Sequence, residues 1–96
     1  MILHLLNRSP ATSRVVEDTL AAMGPDDRLL LIEDGVMGGL PVHAKVFTAL
    51  AGRVFALRED LDARGLLERC GAHVNIVDVE GFVTLTEETY KTVSWY

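Results

Sequence analysis

The sequence predicts an α/β domain built on one parallel sheet of four to five strands with helices on both faces. Three observations predict it. Short apolar runs recur at residues 2–6, 28–32, 53–57 and 73–77, and near-continuous apolar runs mark strands buried on both faces. Between the runs, apolar residues recur at helical spacing, and alternation of this kind favours right-handed crossovers between parallel strands. The chain has 96 residues, enough for one small core, so residues 1–96 are taken as a single domain.

The elements follow in order. After the first strand, Ser9 can cap a helix and Pro10 suits its first turn; Ala11, Val15, Val16, Leu20 and Met23 form the apolar stripe, and Gly24-Pro25 ends it. Residues 28–32 form the most β-like run. Beyond a glycine-rich loop, Pro41 opens a second helix with Val42, Val46, Phe47 and Leu50 on one face, and Gly52 stops it. Residues 59–69 read as a third helix, weakened by Gly65, with Leu61, Leu66 and Leu67 turned inward. From Val79 the tail carries Phe82, Val83, Leu85, Tyr90, Val93 and Trp95, a spacing that suits one or two helical segments better than a strand.

Composition narrows the function. Fourteen acids against nine bases give a net charge of −5, which argues against direct nucleic-acid binding by charge. No apolar run approaches the roughly 20 residues of a membrane helix, and the first residues carry no basic leader. One cysteine makes no internal disulfide, so a reducing cytoplasm is the expected location. Hydrophobic residues make up 49% of the chain, so part of the apolar content is expected to face a partner.

In a doubly wound sheet, functional loops leave the carboxyl ends of the strands. The stretch LLLIEDGVMGGL, residues 29–40, lies there. It has no lysine, and Glu33 and Asp34 would repel a phosphate, so a strand-end turn is the expected reading. Asp34 and Asp60 invite comparison with a metal-binding or phospho-acceptor pair, but the first strand ends in Asn7-Arg8, where such a site would need acids. His4, His43 and His73 are scattered, so no metal site and no cofactor are expected. Cys70 is the sole thiol. It closes a helix, where the dipole disfavours thiolate, and precedes a strand rather than following one.

Four motifs in order then become informative together: LHLLNRSP (residues 3–10), LLLIEDGV (29–36), VFALREDLDARGL (54–66) and IVDVEGFVTLT (76–86), with a closing Trp95. The set resembles the TusB/DsrH family over essentially the whole chain. The resemblance implies a DsrE/F/H-like fold of flavodoxin-like topology. It further implies a subunit of a sulfur-relay heterohexamer, whose other members are a TusC/DsrF-like and a TusD/DsrE-like sister. In the Tus branch such a complex passes persulfide sulfur to a downstream acceptor protein, toward 2-thiolation of tRNA wobble uridine; in the Dsr branch it serves sulfur oxidation.

By the same resemblance the principal persulfide cysteine lies on the DsrE/TusD-type sister. Some DsrH-type members carry a cysteine in the first helix, where this chain reads Val15-Val-Glu-Asp-Thr-Leu20. A non-catalytic subunit is therefore expected, with no catalytic residue of its own and with a Cys70 persulfide carrier as the enzymatic alternative. Val36, Met37, Leu40, Trp95 and Tyr96, apolar residues beside turns or at the chain's end, are the expected interface residues.

Overall fold

The computed structural model describes residues 1–95. Five strands form one sheet: β1 (Ile2–Leu6), β2 (Arg28–Leu31), β3 (Val54–Leu57), β4 (Asn75–Val77) and β5 (Lys91–Trp95). Every pairing is parallel, and the order is β4-β3-β2-β1-β5. The α-helices are α1 (Val15–Ala22), α2 (Arg58–Ala63) and α3 (Val79–Glu88), joined by 3-10 segments at Glu33–Gly39, Pro41–Leu50 and Leu67–Arg69.

Strand order decides where the helices lie. From β1 to β4 each crossover moves in the same direction, so a uniform right-handed connection puts every intervening element on one face. On that face Leu6, Leu29, Leu31, Val54 and Ala56 pack with Val16, Val36, Phe47, Leu50, Leu61 and Leu66. The last crossover runs back over the sheet, which carries α3 to the opposite face. There Leu85 and Phe82 meet Leu3, Leu30 and Phe55. Both faces are therefore covered, but unequally.

This order departs from the flavodoxin arrangement 2-1-3-4-5 expected from the family resemblance. Here the reversal falls between β1 and β5, because the last strand and not the second crosses to the far side of β1.

Three other expectations need correction. The tail is one helix and one strand: Lys91–Trp95 pairs with β1 over its whole length. Val93 and Trp95 face the better-covered side beside His4 and Leu6, while Thr92 and Ser94 are exposed. The first helix begins at Val15, not at Ser9-Pro10. Ser9 instead organises a turn, its carbonyl accepting from Thr12 and Ser13 and its hydroxyl from the Ala11 amide. The third helix ends at Ala63, because Gly65 adopts a φ of +67°, a left-handed value that ends the helix.

Candidate functional site

The carboxyl edge of the sheet is held together largely by acids accepting backbone amides. Glu33 takes a left-handed φ of 50°, unusual for a side-chain-bearing residue, and its amide donates to Asp60 Oδ2 at 2.6 Å. Asp34 accepts from Arg64 Nε at 3.2 Å and from Nη2 at 3.1 Å. Asp78 caps α3 by accepting from the Gly81 amide at 2.8 Å. The two acids compared with a metal-binding or phospho-acceptor pair, Asp34 and Asp60, thus fasten the loop after β2 to the segment after β3. Among the described residues, no three His, Cys, Asp or Glu side chains group as a metal site would need.

The glycines of the loop after β2 belong to packing. A Cβ on Gly35 would lie 2.0 Å from the Leu6 carbonyl oxygen, so only glycine lets this segment close over the end of β1. Gly38 abuts Leu31 and Phe47, and Gly39 abuts the Cys70 sulfur. The strand-end turn is therefore packed inward, with Gly35, Val36, Gly38 and Gly39 all buried.

The topological reversal lies between β1 and β5, where the fold class places its ligand crevice. A recess of about 190 Å³ occurs beside it, lined by Asn7, Arg8, Ser9, Thr12 and Asp34. Asn7 Oδ1 is buried and finds no hydrogen-bond partner among the described residues. The recess offers hydroxyls, an amide, a guanidinium and the Asp34 carboxylate, which is already held by Arg64, and it has no thiol or imidazole.

Cys70 stands away from this edge. It follows the 3-10 segment Leu67–Arg69, is half-buried against the core, and burial pushes its thiol pKa upward. A raised pKa leaves less thiolate at neutral pH, the opposite of what a sulfur nucleophile needs.

Of the expected interface residues, Val36 is corrected: it is fully buried and packs in the main core. The apolar side chain reads as exposed in sequence, but Gly35 draws the segment inward and takes Val36 with it. Met37, Leu40 and Trp95 are partly buried against the same cluster, and Tyr96 lies outside the described residues. Among the described residues, Val36, Met37, Leu40 and Trp95 do not form one exposed patch.

One cluster escaped the sequence reading. His4, in the middle of β1, is buried; its Nε2 lies 3.0 Å from Asp27 Oδ2, and its Nδ1 lies 3.0 Å from the Trp95 indole nitrogen. Asp27 also accepts from the Ile2 amide at 3.0 Å and the Gly24 amide at 2.9 Å. The available signal was a histidine inside an apolar strand, which demands partners when buried. His73 is satisfied in a similar way, its Nε2 donating to the Gly38 carbonyl at 2.8 Å while its ring stacks on Phe47.

The fold is thus a five-stranded parallel α/β sheet with a β4-β3-β2-β1-β5 order, and known structures share it. The Escherichia coli ychN protein superposes with a TM-score of 0.76 over 97% of both chains at 18% identity. Protein Tm0979 from Thermotoga maritima superposes with a TM-score of 0.70 at 25% identity, over 92% of this chain and 93% of that one. In sequence, the DsrH like protein family model matches residues 8–92. Protein TusB of Serratia proteamaculans (strain 568) is 33% identical over 96 residues, covering 98% of this chain and all of that protein. Protein TusB of Escherichia coli (strain SMS-3-5 / SECEC) is also 33% identical, with the same coverage. The chain belongs to the TusB/DsrH family.

Proposed function

We propose that this protein is a non-catalytic subunit of a cytoplasmic sulfur-relay complex, supporting persulfide transfer toward 2-thiolation of tRNA wobble uridine. The observation that carries the reading is the similarity to TusB proteins along their entire length. Its partners are a TusC/DsrF-like and a TusD/DsrE-like sister in a heterohexamer, which hands sulfur on to a downstream acceptor. The persulfide cysteine belongs to the TusD/DsrE-like sister. The chain itself touches neither tRNA nor membrane; it is acidic, and no helix among the described residues is long and apolar enough to cross a bilayer.

The absence of a cysteine from Val15–Ala22 favours the thiolation branch over a DsrH-type subunit of a sulfur-oxidation complex. The position and raised pKa of Cys70 count against a persulfide carrier on this chain. Co-expression with both sisters followed by native mass spectrometry tests the proposal. The expected result is a stable complex containing all three chains, and a monomer that ignores both sisters overturns it.

A further inference from the structure

The strand order leaves one face of the sheet with a single helix. An α-helix of ten residues is about 15 Å long and, with side chains, about 10 Å wide, whereas five strands span about 19 Å between the outermost axes. Beside α3 the uncovered surface forms a groove of about 760 Å³. Its floor is Phe55, Val77 and Leu85, and the Arg28–Glu88 ion pair, 3.1 Å long, stands at its wall. The outer side of the helix is apolar as well: Val79 and Val83, one turn apart, are 51% and 50% exposed.

We propose that this face, α3 with its groove, docks a partner protein whose contact patch is apolar and rimmed by lysine and arginine. The inference rests on the subunit reading above and names the surface that serves it. Charge identifies the kind of partner. The helix sequence VEGFVTLTEE has no basic residue, and Glu80, Glu87 and Glu88 are exposed on it. Glu88 is paired with Arg28, while Glu80 and Glu87 have no ion pair among the described residues. Arg53 and Asp26 also line the groove, where Arg53 gives its guanidinium to the carbonyls of Gly24, Asp27 and Ala49; the unpaired acids Glu80 and Glu87 lie on the helix beside it. A second copy of this chain would set acid against acid around an apolar centre, so the occupant is a different protein with a basic rim.

The opposite face offers a competing patch, Val42 and Val46 on the segment Pro41–Leu50, which are 79% and 44% exposed. That face already carries every other crossover element and lacks an equally large apolar groove among those described. The two patches can be separated experimentally.

The wild-type chain, a Val79→Asp/Val83→Asp variant, a Glu80→Lys/Glu87→Lys variant and a Val42→Asp/Val46→Asp control are each titrated against the two co-expressed sisters at low and high salt. The aspartate pair on α3 should weaken binding about tenfold or more. The lysine pair should weaken it at low salt and flatten its salt dependence, and the control should bind as wild type does. These side chains are exposed, so far-ultraviolet circular dichroism should show all variants folded; if the aspartate pair unfolds the chain, the lysine pair decides alone. Wild-type binding that survives both α3 variants, or is lost only in the control, overturns this inference and leaves the subunit reading intact. Failure of the wild-type chain to bind either sister overturns both.

Discussion

The indole N–H of Trp95 donates to Nδ1 of His4 across 91 residues of sequence, at 3.0 Å, with the two rings stacked at 28°. An indole nitrogen can only donate, so Nδ1 must accept, and the proton of the neutral imidazole sits on Nε2, pointing at Asp27. One hydrogen-bonded chain thus ties the last strand, β1 and the loop before β2. It gives β5, an edge strand with few buried side chains, a specific anchor. Trp95→Phe keeps most of the apolar contact but leaves Nδ1 of a buried imidazole without its donor. We expect it to cost about 1–3 kcal/mol in denaturant unfolding. Equal stability of the variant and wild type would show that the bond contributes nothing.

Acid stability should report the same cluster. Burial alone would raise the Asp27 carboxyl, but the bonds from Gly24, His4 and Ile2 outweigh it and lower the pKa from 3.8 to about 2. The folded pKa lies below the unfolded one. The contribution is therefore complete above about pH 4 and is lost as pH falls toward 2. Asp27→Asn should remove stability at neutral pH, by on the order of 1–2 kcal/mol, and flatten the pH dependence between 4 and 2. Urea melts of both proteins across that window give the test, and parallel pH profiles would contradict it.

Backbone proximity makes a third prediction. Gly35→Ala would place a methyl carbon 2.0 Å from the Leu6 carbonyl oxygen, a backbone atom that cannot move without disturbing β1. Gly24→Ala meets only ordinary contacts, the nearest being an Asp27 oxygen at 3.6 Å. The first substitution should cost about 3 kcal/mol or more, and the second less than about 1 kcal/mol. Thermal unfolding of the pair checks the contrast. Similar melting points for the two variants would refute it.

The four apolar strands were legible to within a residue or two: β1, β2 and β3 are apolar runs packed on both faces, and β4, an edge strand with Asn75 and Ile76 exposed, still showed as a short β-branched run. The sequence reading missed β5 because an edge strand packs few residues: only Val93 and Trp95 of Lys91–Trp95 are partly buried, and pairing with β1 supplies the remaining order. It placed the loop glycines at a functional edge, but could not see that Gly35 is required by a contact with Leu6, 29 positions away. The same blindness to long-range contacts hid the partners of His4 and put Val36 on the surface.

Val36 therefore separates a folding residue from an interface residue. Its side chain is fully buried among the residues that join the loop to the main core. Val36→Ala removes two methyl groups and leaves a small cavity, for an expected loss of about 2 kcal/mol in the isolated chain. The nearby Met37, which is only partly buried, provides the contrast. If Val36 acts only through the core, the variant should bind its partners normally wherever it remains folded, and its deficit should appear entirely in unfolding. Measuring melting temperature and partner affinity on the same preparation distinguishes the two roles. Weakened affinity with an unchanged melting temperature would return Val36 to the interface.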